Sequence, residues 1–148
     1  MVAYEDVELF PAPRDVVWRL LRDHLDDAKI VTIHPLVQSQ KTVSRTDSEV
    51  VVDRVIDVRR KPVKSRWKIT YHPPDRARWE LLESEGPWSA GSYLDVTYEE
   101  VPGGTRIHAR GDLTILARPF YQSQERAVRS VLNDFHIEDW AFVNRYRF

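Results

Sequence analysis

Residues 119–147 constrain this chain more than any other segment. Placed on a helix at about 100° per residue, Tyr121, Val128, Val131, Leu132, Phe135, Phe142 and Tyr146 fall on one face. Asp139 falls on the same face, close to its centre. The periodicity predicts one amphipathic helix from Pro119 to Arg147. A helix of that length spans roughly 40 Å, the width of a small domain. It cannot bury its stripe against itself, so it needs a broad concave partner.

The preceding segments supply a candidate. Tyr4–Phe10 reads as a strand in which Val7 and Leu9 alternate with Asp6 and Glu8. Pro13 suits the first turn of a helix, where its missing N–H has no partner to lose. Val16, Val17, Leu20 and Leu21 make that helix amphipathic, with Trp18 to one side, and it ends near His24. A second short helix or turn is expected over 26–32, before Pro35 forces an extended exit. From Val37 the period becomes two, predicting strands at 37–46, 49–58, 64–72, 76–83, 91–101 and 104–116. Thr46-Asp47-Ser48, Pro62, Pro73-Pro74-Asp75, Gly86-Pro87 and Pro102-Gly103-Gly104 separate them. Connections this short make consecutive strands antiparallel neighbours.

The strand faces are legible. Trp67, Ile69 and Tyr71 share one face with Ala77, Trp79 and Leu81, with Leu94, Val96 and Tyr98, and with Ile107, Ala109, Leu113 and Ile115. Their alternates are mostly charged: Arg66, Lys68, Arg76, Arg78, Glu80, Arg106 and Arg110. One face is wet and the other covered, as in an antiparallel sheet packed on one side. Small residues on the covered side, Ala77, Ala109 and Gly111, leave uneven volume beside the aromatics, compatible with either a cavity or repacking.

Composition narrows the function. The 148 residues fit one domain, and a net charge of -1 offers no global field for nucleic acid. Without cysteine there is no disulfide, no thiolate nucleophile and no Cys-based zinc site. Glu5, Asp6 and Glu8 oppose a signal peptide's basic start, and no apolar run is long enough to cross a bilayer, so a cytoplasmic location is expected. No histidine pair has metal-ligand spacing, and no serine sits in a Gly-x-Ser-x-Gly setting. Neither a metal, a cofactor nor a nucleic-acid partner is expected.

The order strand, two helices, six strands, long helix resembles the helix-grip fold of the START, polyketide-cyclase and Bet v 1-like (SRPBCC) superfamily. "APRDVVWRLLRD" (12–23) is similar to its opening helix, "HPLVQSQKTV" (34–43) to the exit into its second strand, and "EGPWSAGSYLDVTYEEVPGGTRIHARGDLTI" (85–115) to its penultimate hairpin. The resemblance covers nearly the whole chain and implies an α+β fold of about seven strands, as one domain over 1–148. It also implies an apolar cavity between sheet and C-terminal helix. Members include lipid and quinone carriers, aromatase/cyclases, hydroxylating-dioxygenase domains and chaperone partners. No universal catalytic residue comes with the resemblance.

Several residues stand out as chemistry. Asp139, in mid-stripe, must be paired, protonated or hydrogen-bonded, because unpaired burial of its charge is costly. In "EVVVDRVIDV" the phase that turns Val50, Val52, Ile56 and Val58 inward also turns Arg54 inward; the other phase would bury Asp53 and Asp57. An inward Arg54 either pairs with Asp139 or holds a ligand carboxylate. His136, three residues before Asp139, is near enough on a helix for the carboxylate to fix its tautomer. Arg59, Arg60, Lys61, Lys64 and Arg66 form a basic segment suited to a solvated loop, an acidic partner or transient membrane contact. Trp88, between two strands, fits either a cavity lid or a core edge. Trp140 and Ile137 lie off the helical stripe and fit either a partner or homodimer surface or cover by the first helix.

Three functions follow. The first is binding of a small hydrophobic or amphipathic ligand (lipid, quinone or polyketide-like), with Trp67, Tyr71, Trp79, Tyr98, Phe135 and Phe142 as wall, Asp139 and Arg54 as anchors and Trp88 at the entrance. The second is a cyclase/aromatase- or isomerase-like enzyme using Asp139 or His136 for proton transfer. The third is a protein-interaction module with a filled cavity, docking through the basic segment or Trp140.

Overall fold

The structure is a computed structural model and describes residues 2–33, 37–58, 60–85 and 89–113. The alternating segments form seven strands: β1 (Val2–Phe10), β2 (Val37–Arg45), β3 (Glu49–Val58), β4 (Lys61–His72), β5 (Arg76–Ser84), β6 (Tyr93–Val101) and β7 (Gly104–Leu113). Two helices, α1 (Arg14–His24) and α2 (Ile30–Ile33), lie between β1 and β2. All seven strands join one antiparallel sheet in the order β1-β7-β6-β5-β4-β3-β2. β2 to β7 are therefore a meander, as short turns require, and β1 closes on β7. The helices carry the chain from one edge of the sheet to the other. This α+β arrangement is consistent with a helix grip; the expected helix over 119–147 lies outside the described residues.

Three boundaries differ from expectation for local reasons. β4 begins at Lys61 and runs through Pro62, which the sequence suggested was a break. β5 pairs with β4 only as far as Ser84 against Ser65, so near Pro62 the strand behaves as an edge, where a missing N–H is tolerated. β6 starts at Tyr93 rather than 91 because Gly91 sits in the turn with φ 91°. α2 is shorter than the expected 26–32, since Asp26 first closes a turn by accepting from the N–H groups of Ala28 and Lys29, each at 3.0 Å.

The inner face carries the core. Val50, Val52, Trp67, Ile69, Leu81 and Ala109 form one cluster with Leu25. Phe10, Ala77 and Tyr98 form another with Ala12, Val17, Trp18, Leu20 and Leu21 around α1. Tyr71, Trp79 and Val96 pack against both. Trp18 belongs to the core rather than to the side of its helix: it is buried edge-on to Tyr98, with centroids 5.3 Å apart and planes at 83°. The buried arc of α1 is wide enough to include it.

β1 reverses the usual sense of its alternation. Val7 and Leu9 are 52% and 53% exposed on the outer face. Asp6 and Glu8 stand opposite Ala109 and Ile107, and directly opposed residues share a face, so this acidic pair lies inward. Inward charges are one way an edge strand avoids pairing with other chains. β2, the other edge, is interrupted instead by two register shifts, between Val37 and Ser39 and between Thr42 and Ser44.

Charges alternate in sign across the outer face. Arg66 donates to Asp53 at 2.7 and 3.0 Å. Lys68 meets Glu80 at 3.0 Å, Arg78 meets Asp95 at 3.1 Å and Arg106 meets Glu99 at 3.2 Å. His108 lies on this face, as its parity predicts, 2.6 Å from Glu5. The Arg66 hydrogen bond holds the Asp53 carboxyl below the ordinary carboxylate range, and the Glu80 hydrogen bond raises Lys68. Exposed pairs of this kind are screened by solvent and add little to stability.

Candidate functional site

Arg54 takes the inward phase, because the alternative would bury two aspartates in its place. It is 5% exposed, with Val50 and Val52 fully buried on the same strand face. Its guanidinium carbon lies 5.0 Å from the centroid of Trp79, within cation–π range. Trp79 in turn meets Trp67 edge-on, at 6.3 Å between centroids. A buried cation thus rests on an aromatic floor.

The strand register extends a polar row on either side of it. Gln40 on β2, Arg54 on β3, Ser65 on β4 and Ser84 on β5 are directly opposed in succession. Gln40, Arg54 and Ser65 are buried. Arg54 donates through Nε to Gln40 Oε1 at 2.6 Å, and Trp67 donates through Nε1 to Ser65 Oγ at 3.0 Å. The next row inward is apolar: Val52, Trp67 and Leu81.

Behind Gln40 stands Asp27. Its Oδ1 accepts from Gln40 Nε2 at 3.0 Å and from the Thr42 hydroxyl at 3.0 Å, and its Oδ2 accepts from the Thr42 backbone N–H at 2.8 Å. The Asp26 turn fixes the backbone beside it. Burial pushes the Asp27 carboxyl up, but the bonds from Gln40 and Thr42 and the charge of Arg45 outweigh burial and hold it below the ordinary value. Asp27 is therefore an ionised acceptor, and Asp27–Gln40–Arg54 is a continuous relay from the α1–α2 connection to the inner face.

Of the site residues expected from sequence, Arg54, Trp67, Tyr71, Trp79 and Tyr98 share the inner face. Tyr98 stands apart from Trp67, in the cluster under α1, while Tyr71 and Trp79 bridge the two groups. Arg59, Trp88, Phe135, His136, Ile137, Asp139, Trp140 and Phe142 lie outside the described residues. Arg60 occupies the β3–β4 turn with φ 69°, and Lys61 and Lys64 are exposed on β4 rather than in a loop. Gln40, Ser65 and Asp27 did not stand out in the sequence. A polar residue in a strand reads as outward, and the two shifts in β2 scramble the parity that would have turned Gln40 inward.

Gly111 is small for a different reason from the one its inner-face position suggests. A Cβ there would fall on the Tyr93 carbonyl oxygen of β6, so the glycine serves close approach of two strands. Ala77 and Ala109 are both buried in packed clusters.

A surface depression of about 520 Å³ is lined by outward Lys41, Asp53, Lys64, Arg66 and Glu83 together with the polar row between them. Within it Arg66 pairs with Asp53 and Glu83, and the buried Arg54 and Ser65 belong to the same lining. Among the described residues no cluster of three His, Asp or Glu side chains is placed to hold a metal, and no helix is long and apolar enough to cross a membrane.

The family model described as polyketide cyclase / dehydrase and lipid transport matches residues 1–135. The chain belongs to that family. Solved START and aromatase/cyclase structures share its fold. The START superfamily protein from Mycobacterium smegmatis aligns with a TM-score of 0.79 at 9% identity, covering 98% of this chain and 99% of that one. The Zhui aromatase/cyclase from a Streptomyces species aligns with a TM-score of 0.74 at 16% identity, covering 96% and 90%. The di-domain aromatase/cyclase StfQ of the steffimycin biosynthetic pathway aligns at 0.78 and 15% identity, covering 98% of this chain and 50% of that one. At such identities the likeness concerns the fold. No curated protein matches the sequence.

Proposed function

We propose that this family member binds a small hydrophobic or amphipathic molecule between the inner face of its sheet and the segment 119–147. One observation carries the reading: a buried guanidinium, Arg54, on an inner face that is largely apolar and aromatic. Ligand pockets combine a mostly apolar lining with a few convergent polar groups, and Trp67, Tyr71, Trp79 and Tyr98 with Arg54 have that composition. Phe135 and Phe142 would complete the wall, Asp139 would be a second polar group and Trp88 a lid. Lipid transport in the family's description is in keeping with this.

The test begins with native mass spectrometry of protein purified from its own host, followed by identification of any adduct after denaturing extraction. A stoichiometric small molecule is expected. Phe135→Trp and Phe142→Trp should then block uptake while leaving the thermal melt unchanged. A protein empty after a lipid and polyphenol screen would sink the reading.

A cyclase- or isomerase-like reaction is the second reading, favoured by the inward placement of Asp6 and Glu8 on the same face as Arg54. Asp139 and His136 remain its acid/base candidates from sequence. Turnover untouched by Asp6→Asn, Glu8→Gln, Asp139→Asn and His136→Ala would eliminate it.

A further inference from the structure

We infer that the ligand is an elongated apolar molecule ending in a hydroxyl, that it lies along the sheet row from Tyr71 to Asp6, and that the Asp6 carboxyl is its polar anchor. The inference rests on the binding reading above and specifies its chemistry.

Burial runs the wrong way across the inner face. β5 is the middle strand of seven and β3 stands next to an edge, so the middle should be the better covered. Instead Val50 and Val52 on β3 and Ile69 on β4 are fully buried. Trp79 on β5, Leu94 and Val96 on β6 and Ile107 on β7 are only partly buried. The cover explains this inversion. Leu25 packs with the β3–β4 cluster, and the side chains of α1 pack with the Tyr98 cluster. Tyr71, Trp79 and Val96 touch both clusters and belong to the buried part of neither. They mark a seam between two covered regions, and half-open apolar side chains within a covered face suit the lining of a ligand pocket.

The register gives the seam a direction. Tyr71, Ala77, Val96, Ala109 and Asp6 are directly opposed in succession on β4, β5, β6, β7 and β1, and opposed residues share a face. Trp79 and Leu94 stand on one side of this row, Tyr98 and Ile107 on the other. The two alanines therefore lower the floor between taller walls. At about 4.8 Å per strand the row is roughly 19 Å long, which suits an elongated molecule.

Its two ends differ in chemistry. At Tyr71 the phenol proton is already given to the Thr46 carbonyl at 3.3 Å. At β1 stand Asp6 and, on the next row, Glu8 opposite Ile107. Both acids already have a partner, but a carboxyl group has two oxygens and accepts several bonds. A ligand hydroxyl adds to what is there and displaces nothing. A ligand carboxylate would set acid against acid at this end, and an ammonium would have to give up its water to enter an apolar trough. A hydroxyl donates at the smallest desolvation cost of the three.

Decan-1-ol and its isomer 1-methoxynonane, used below their aggregation concentrations, are the probes, with binding to the full-length protein read by tryptophan fluorescence. The alcohol is expected to bind more tightly than the ether. Asp6→Ala should lower the alcohol-to-ether affinity ratio about fivefold, the worth of one neutral hydrogen bond. Ether affinity should hold, a result that general loosening of the fold would not produce. A decanol brominated at its far end, bound with its hydroxyl at Asp6, carries the bromine towards Tyr71 and Trp79. It should quench tryptophan emission, and Trp79→Phe should remove most of that quenching. Equal affinity of alcohol and ether, or a ratio unmoved by Asp6→Ala, overturns the inference and leaves the binding reading intact. Quenching that survives Trp79→Phe overturns the placement along the row. Failure of both probes to bind removes the inference together with the reading beneath it.

Discussion

A methyl group at position 111 would meet the carbonyl oxygen of Tyr93 on the neighbouring strand. Backbone cannot step aside as a flexible side chain can, so Gly111→Ala must part β6 from β7 or bend one of them. A loss of about 1–3 kcal/mol is expected from overpacking of this kind, measurable as a lower denaturation midpoint. Asp27 gives a second expectation at the residue scale. Its folded-state pKa lies below the ordinary aspartate value of about 3.8, so the unfolded chain binds the proton more readily than the folded one. The stabilisation is therefore fully present above that value and is lost as pH falls through the lower folded value. Asp27→Asn should cost roughly 1–3 kcal/mol at neutral pH, and its stability should fall less than the parent's below about pH 4. Denaturant melts at pH 7 and pH 3 compare them; identical pH profiles would refute the assignment.

Single elements show where sequence reasoning succeeds and where it stops. The meander from β2 to β7 was legible because turn residues punctuate a period of two. The inward phase of Arg54 followed from weighing one buried charge against two. The sense of β1 was not legible, since apolar and acidic residues alternate there and only the register with β7 reveals that the acidic pair faces in. Gln40 escaped because irregular pairing in β2 breaks parity. The reversed sense of β1 predicts an unusual mutational pattern. Val7→Lys and Leu9→Lys, both at exposed apolar positions, should alter stability by no more than about 0.5 kcal/mol. Phe10→Ala, on the same strand but buried, should cost about 3–5 kcal/mol. Comparable losses at all three in denaturant titrations would contradict the observed phase.

Across the molecule, the two faces of the sheet divide the labour. The outer face exchanges charge between neighbouring strands and presents little net field, while the inner face keeps its polar groups few, buried and connected. The row Gln40–Arg54–Ser65, supported by Asp27, is the connected polar part of that inner face.

The pairing of β1 with β7 also orders events during synthesis. Glu5 finds His108, and Thr105 donates to the Ala12 carbonyl at 2.8 Å, across 103 and 93 residues of chain. At roughly 5–20 residues per second, the ribosome makes the first strand on the order of five to twenty seconds before its partner β7 exists. Throughout that interval Val7 and Leu9 sit on an unpaired ribbon, and the acidic side chains that alternate with them keep a nascent segment of this kind from joining the wrong sheet.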